Sequence, residues 1–374
     1  MQFTPISFTC DSCGAPLRFS PATGKLSCPF CHNATKIQPK DNLVEEFDLR
    51  SALAELEHNT PKEISKTVAC PKCGSSFTLT PYSVSTNCPY CGTPAITTFV
   101  NHITPEAILP FVITQKQARE IFSQWIGSLW FAPSALKKLI DTDKNLTGYY
   151  LPYWTYDAAT TTAYQGQRGD VYYVTVRQRR IINGREQIVE VQEPRIRWRP
   201  AQGRVGRVFD DITIEASETL SRKILGALGV WDTSRSKPFD ERYLSGFESE
   251  EYSIGLDNGF EMAQTKMHAI IRGDIRRDIG GDRQQIDHME TRYANATFKN
   301  SLFPVWTTHF SFKGKEYYYA INGQSGVITG ERPYSYTKIA LLVGFFLALF
   351  MAIGYYGEHF DGDFGDSFDR YYQR

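Results

Sequence analysis

Much that an enzyme or a nucleic-acid handler usually carries is missing from this chain. Its 374 residues hold 41 Lys and Arg against 41 Asp and Glu, so no net charge draws it toward polyanions or acidic substrates. No G-x-x-x-x-G-K-[ST] stretch occurs, which leaves ATP-driven work without a phosphate cradle. Neither H-E-x-x-H nor G-x-S-x-G is present, and the 7 histidines are scattered. These absences predict a protein that is not an enzyme. The opening "MQFTPISFTC" lacks the basic and apolar regions of a secretory signal, which predicts a reducing compartment for the bulk of the chain.

Solitary cysteines are missing too, because all 8 fall in Cys-x-x-Cys pairs. "CDSCGAPLRFSPATGKLSCPFC" (10–31) and "CPKCGSSFTLTPYSVSTNCPYC" (70–91) each hold two pairs with fourteen residues between them. A Cys-x-x-Cys turn presents two sulfurs to one ion, and fourteen residues suffice for a hairpin that brings the second pair back. Zn2+ takes four thiolates in a tetrahedron. The expectation is two structural Zn2+ ions, one on Cys10, Cys13, Cys28 and Cys31 and one on Cys70, Cys73, Cys88 and Cys91. Four protein ligands leave no open coordination position, so the ions are structural rather than catalytic. His32 stands where the other turns have glycine and is a spare ligand candidate. A redox Cys-x-x-Cys would need a thioredoxin-like βαβ context, which the flanks do not offer.

One segment breaks the soluble pattern. Ile339 to Tyr356 is uncharged and mostly apolar, and at about 1.5 Å per residue its eighteen residues span roughly 27 Å, enough for a bilayer core. Tyr334, Tyr336, Tyr355 and Tyr356 bracket it as interfacial aromatics do. A buried core helix is the alternative. Arg332 and Lys338 precede the span, while Glu358, Asp361, Asp363 and Asp366 follow it. Basic flanks stay on the cytoplasmic side. The expected placement is therefore a single-pass protein of the bacterial plasma membrane with its N-terminal bulk in the cytoplasm.

The fold class expected is multidomain: two small four-cysteine zinc ribbons, a mixed α+β domain and one transmembrane helix. The boundaries read as ribbon 1 over 5–38, a spacer helix over 39–65, ribbon 2 over 66–97, a helical connector over 98–149, the α+β domain over 150–336, the transmembrane helix over 338–357 and an acidic tail over 358–374. Capping boxes are expected at Asn42/Glu45 and Thr114/Gln117. "YYLPYWTYDAATTTAY", "DVYYVTVRQRRIINGREQIVEVQ" and "RIRWRPAQGRVGRVF" read as strands, with Asn183-Gly184 and Asn322-Gly323 as turns. "EASETLSRKILGAL" and "DNGFEMAQTKMHAIIRGDIRRDIGG" read as helices. Phe260, Ala263, Met267 and Ile270 keep the period of the second, and Gly280-Gly281 ends it. "LPYWTYDA" (151–158) echoes "FPVWTTHF" (303–310), by duplication of a β module or by chance.

Residues 168–207 carry ten arginines against four acids. Alternation puts Arg195, Arg197 and Arg199 on one strand face, with Ile196 and Trp198 on the other. That face could dock anionic lipid, a protein or nucleic-acid phosphate, or simply be solvated and paired with the acidic "FDERYLSGFESEE".

With "LPYWTYDA", "GQRGD", "RWRPAQGRVGRVFDD", "DIRRDIGGD", "FPVW" and "NGQSGVITGERPYS", the chain resembles, over nearly its full length, a bacterial family with two TFIIB-type zinc ribbons and a C-terminal membrane helix. Such proteins are often labelled primosomal protein N' (replication factor Y) or superfamily II helicase-like, although this sequence lacks the helicase's ATP-binding motifs. Some relatives work beside SPFH-domain membrane-stress proteins. The resemblance implies an adaptor that docks such a protein at the membrane, and it brings no catalytic residues. "EYYYAINGQSGVITG" also resembles the strand–turn–strand of PepSY-type modules. The alternative is a nucleic-acid-binding zinc-ribbon protein, for which the few basic residues in the ribbons are thin support.

Overall fold

The computed structural model describes residues 2–38, 44–56, 63–133, 146–182 and 185–365. Eleven strands make one mixed sheet: β1 (Phe47–Asp48), β2 (Ser83–Asn87), β3 (Pro94–Ile96), β4 (Ala107–Ile108), β5 (Thr147–Ile182), β6 (Arg185–Glu215), β7 (Lys237–Pro238), β8 (Glu248–Glu250), β9 (Arg283–Phe312), β10 (Lys315–Asn322) and β11 (Ile328–Gly330). The helices are α1 (Leu49–Leu56), α2 (Gln115–Ser128), α3 (Arg222–Gly226), α4 (Leu256–Ile279) and α5 (Tyr336–Gly365). The sheet runs β7-β4-β9-β5-β8-β2-β3, with β6 on β5, β10 on β9, β11 on β10 and β1 on β9.

The centre of the sheet repeats itself about a pseudo-two-fold axis. Leu151 and Phe303, the first residues of the two echoing Pro-x-Trp segments, lie opposite each other where β5 and β9 pair antiparallel. β8 joins β5 in parallel at Tyr149 and Tyr150, and β4 joins β9 in parallel at Ser301 and Leu302, the same positions 152 residues on. β6 begins on β5 at Tyr153 and β10 on β9 at Val305, again 152 apart. The unit is therefore β-α-β-β: β4-α2-β5-β6, then β8-α4-β9-β10. Each unit's opening strand pairs with the other unit's long strand, so neither can complete its sheet alone.

The shared motif has a physical reason. Pro152 and Pro304 lack an N–H and sit where the outer neighbour changes, from β8 to β6 and from β4 to β10, so no ladder bond is lost. Their carbonyls accept from Ala216 and Gly323 (3.0 and 2.8 Å). Trp154 Nε1 donates to the Ile254 carbonyl before α4, and Trp306 Nε1 to the Ile113 carbonyl before α2 (2.9 and 2.8 Å). Each buried indole thus satisfies its donor while fixing the other unit's helix.

α2 and α4 cover one face of the sheet. Phe122 of α2 stacks on Tyr319, with ring centroids 3.9 Å apart, and Ala263, Met267, Ile271 and Ile275 of α4 are buried near Trp154, Tyr156 and Phe298. On the other face, Leu151, Tyr153, Phe303 and Val305 pack under residues 220–231 with α3.

Several sequence expectations need correction. The three separate β stretches from Tyr149 are two continuous strands, β5 of 36 and β6 of 31 residues. The helix expected in "EASETLSRKILGAL" is only α3, because Ser217 and Thr219 give their hydroxyls to the Glu250 carboxylate and hold that stretch extended. Ile270 is exposed; Ile271 takes the buried place. The spacer helix starts at Leu49, where the Asp48 carboxylate accepts from Ser51 N (2.8 Å), and Asn42 lies outside the described residues. Asn183-Gly184 and residues 366–374 of the tail also lie outside them. The capping box at Thr114/Gln117 is present, and Gly280-Gly281 ends α4 with φ of 64° and 72°.

The ribbons are built into this body. β2 and β3 of ribbon 2 are strands of the main sheet, joined through β8. Lys66 is buried and its Nζ lies 2.7 Å from the Glu251 carboxylate. Phe19 of ribbon 1 packs edge-on to Tyr243 (5.0 Å), its N–H donates to Ser245, and Ser245 Oγ donates to the Leu17 carbonyl. Leu17, Phe19 and Leu26 thereby join the cluster that holds Phe247 and Trp306.

Candidate metal centres and the projecting β-ribbon

Four knuckles share one backbone design. The first cysteine's N–H donates to the residue five on (Cys10 to Ala15, Cys28 to Asn33, Cys70 to Ser75, Cys88 to Thr93), and its carbonyl accepts from the residue four on. That fourth residue takes a left-handed φ: 70° at Gly14, 73° at Gly74, 70° at Gly92 and 61° at His32. Glycine does so without strain, and His32 bears the Cβ cost instead. Its role is thus in the turn, and four cysteines already fill the ligand set.

The sulfurs converge. In the first cluster Cys10–Cys31, Cys13–Cys28 and Cys13–Cys31 lie 3.5 Å apart. In the second, Cys70–Cys91 and Cys73–Cys88 are 3.6 and 3.8 Å apart. A tetrahedron with metal–sulfur bonds near 2.3 Å has edges of about 3.8 Å, so the donor set fits one metal ion per cluster. In every knuckle the first cysteine is buried and the second exposed. Backbone N–H groups of Cys31 and Phe30 hold the Cys28 thiol down to about 6, and the hydroxyl and N–H of Thr93 do the same for Cys91, whereas burial pushes Cys70 up to about 11. A cation at the centre would favour the thiolate at all four positions. Phe30 and Tyr90, equivalent residues of the two ribbons, are both 69% exposed beside the sites.

A third cluster, Glu46, Asp157 and Asp211, brings carboxylates together. Lys299 Nζ already lies 2.9 Å from Glu46 and 2.7 Å from Asp211, so one ammonium offsets part of its charge.

The arginine-rich residues lie on a projecting ribbon. β9 ends at Arg283, opposite Gly169, and β5 and β6 continue alone for 13 residues to Ile182. There Tyr173, Ile181 and Ile188 are 66%, 77% and 67% exposed. Near the ribbon's base Arg197 stacks over the Tyr172 ring, 4.9 Å from its centroid, and Arg195 pairs opposite Tyr172. Ile196 and Trp198 close over Gly169 on the other face, where a Cβ would lie within 3 Å of both. The acidic stretch near residue 245 is engaged elsewhere: Asp240 with Arg242, Glu250 with Ser217 and Thr219, Glu251 with Lys66.

Three of the motif segments, GQRGD (166–170), RWRPAQGRVGRVFDD (197–211) and DIRRDIGGD (274–282), meet at this base. Arg207 forms a two-pronged ion pair with Asp274 (2.5 and 2.6 Å), which Arg277 also contacts. Tyr164 Oη donates to Asp278 (2.6 Å), and Val171 N to Asp282 (2.7 Å). The end of α4 and Asp282 after it thus tie down β5 and β6 before these two strands run on past β9. Sequence reasoning missed this clamp, because its partners lie 67 to 114 residues apart.

α5 contains one stretch, Tyr336–Ile353, long and apolar enough to cross a membrane, with mean hydropathy 2.1. Among the described residues nothing buries it, unlike the core helix of a soluble protein. Its start is tethered: Ser335 N donates to Phe131 O (2.7 Å), and Lys338 Nζ to Trp130 O and Ala132 O (3.2 and 2.7 Å). From Phe312, beside this start, β9 runs 29 residues to Arg283, and β5–β6 continue for 13 more. At about 3.3 Å per residue the path from the start of α5 to the ribbon tip has a contour of roughly 140 Å.

The chain is similar to a protein of Bacillus subtilis (strain 168) described as "Uncharacterized protein YdjG", with 25% identity over 363 residues, covering 92% of this chain and 96% of that protein. No protein-family model matches the chain, and no solved structure matches it.

Proposed function

We propose that this chain is a membrane-anchored zinc-ribbon adaptor that holds a cytosolic protein partner at the bacterial plasma membrane. Zn2+ fills both tetrathiolate sites as a structural staple, α5 is the anchor, and the β5–β6 ribbon is the partner-facing element. The observation that carries the reading is the ribbon itself. An isolated two-stranded hairpin is marginal in water, yet this one extends 13 residues past its third strand with apolar residues bare on it. A partner strand or face would cover it. Through the motif segments' resemblance, we take an SPFH-type envelope-stress protein as the partner class. This assigns docking to the ribbon rather than to the zinc units, each of which packs one face against the body.

The same packing weakens the nucleic-acid alternative. Of the ribbons' five basic residues, Lys66 is buried and Arg18 donates to the Gly92 carbonyl (2.6 Å), leaving Lys25, Lys36 and Lys72 for phosphate. The test is photo-crosslinking in intact cells from an amino acid placed at Tyr173 or Ile188. A discrete protein adduct is expected, and co-purification of the same protein with the chain should be lost when residues 172–195 are replaced by Asn-Gly. A shortened chain that still reaches the membrane and still forms the same complex overturns the assignment. Salt-sensitive capture of oligonucleotides by the full chain would favour the alternative instead.

A further inference from the structure

We infer that the recess between the β9–β10 hairpin and the start of α5 binds the phosphate headgroup of an anionic phospholipid from the surrounding bilayer. The inference rests on α5 being the membrane anchor and adds a lipid preference to it. The recess has a volume of about 340 Å³ and is lined by Lys313, Lys315, Tyr317, Tyr334, Tyr336 and Thr337, among others. Lys313 and Gly314 form the hairpin's two-residue turn with φ of 53° and 76°. Both left-handed values belong to the turn type that matches strand twist, so the turn aims two lysines from a defined frame. Lys313 Nζ stands 5.8 Å from the Phe312 ring centroid and Lys315 Nζ 5.4 Å from that of Tyr317. Among the described residues neither lysine forms an ion pair.

The surroundings fix the depth. The apolar window of α5 begins at Tyr336, on the rim of the recess. Trp130 and Tyr336 are 79% and 84% exposed, and Phe131 and Tyr334 are exposed beside them. The tether from Ser335 and Lys338 to residues 130–132 brings this second aromatic group to the helix start. Aromatic residues of this kind settle at the headgroup boundary, and unpaired lysines just outside it meet anionic phosphate. Arg195, Arg197 and Arg199 cannot do this for the same anchor, because they lie near the far end of the long strands.

The test is the lipid that the purified full chain retains after reconstitution in nanodiscs of phosphatidylglycerol and phosphatidylcholine, read by native mass spectrometry. We expect phosphatidylglycerol to be enriched over the bulk ratio. At about fivefold per basic residue, the enrichment should fall at least roughly tenfold in K313Q/K315Q. R197Q/R199Q should leave it unchanged, and unaltered metal content reports that each variant is folded. A bulk-like ratio for the native chain, or full enrichment in K313Q/K315Q, overturns the inference while leaving the anchor intact. Displacement of the retained lipid by millimolar inorganic phosphate would make this a free-phosphate site and also overturn it. A chain that stays in water without entering nanodiscs overturns the anchor and the lipid site together.

Discussion

Replacing Lys66 with methionine should loosen the joint between ribbon 2 and the body. Lys66 and Glu251 are 1% and 3% exposed at the side chain, and their charged atoms are 2.7 Å apart. Removing one partner of a buried pair leaves an uncompensated charge and costs about 3–5 kcal/mol. The lower part of that range applies here. Val100 N donates to both Glu251 oxygens (3.0 and 2.9 Å) and Asn101 N to one (2.6 Å), so the carboxylate keeps strong donors. At about 1–1.5 °C per kcal/mol for a chain of this length, the melting midpoint should fall by roughly 3–6 °C. The assay is thermal unfolding of the detergent-solubilised chain with Zn2+ saturating, followed by tryptophan fluorescence. Glu251→Leu should cost as much or more, since it strands an ammonium whose other acceptors are the Ser83 and Thr98 carbonyls (3.3 and 3.1 Å). The double variant K66M/E251L should be less damaged than the two single losses summed, because two apolar groups replace a desolvated pair. An unchanged midpoint for K66M, or strict additivity, would refute the reasoning.

Three further outcomes follow from the geometry. Cys70→Ser should lower the bound metal from two ions to one per chain by elemental analysis and destabilise the sheet edge through β2 and β3, since the site is part of the body rather than a free knob. Asp274, held down to about 2 by the hydrogen bond from Arg207, contributes stability that is fully present above its unfolded value near 3.8 and is lost as pH falls from there through about 2; acid unfolding of Asp274→Asn should lack that step. His32→Gly should relieve the left-handed strain in the knuckle, worth up to about 1 kcal/mol, and slow metal release to a chelator from the first site alone.

What could be read from the sequence was local. The eight cysteines, the apolar span, the Thr114 cap and the Gly280-Gly281 exit depend on residues within a turn or two of each other. The extent of the strands could not be read the same way. Pro194, between the second and third stretches, looks like a break, but among the described residues β6 pairs only with β5, and an edge strand tolerates a residue without an N–H. Gly166 and Gly169 look like turns, but they give room to the Gln285 carbonyl and to Trp198. Two-residue strands such as β4, with only Ala107 and Ile108, carry no periodic signal, and their pairing with Ser301 and Leu302 is a tertiary fact. For that reason the first β-α-β-β unit begins near residue 107, within a segment that reads as a connector.

The central claim is that the anchor and the partner-facing ribbon occupy opposite ends of the long strands. Energy transfer from a donor dye at Ile188 to acceptor-labelled lipids in proteoliposomes tests it directly, with a donor at Lys313 as the membrane-level reference. The account predicts strong transfer from Lys313 and little from Ile188. Equal transfer from both positions would contradict it, because the ribbon would then lie on the bilayer rather than stand off from it.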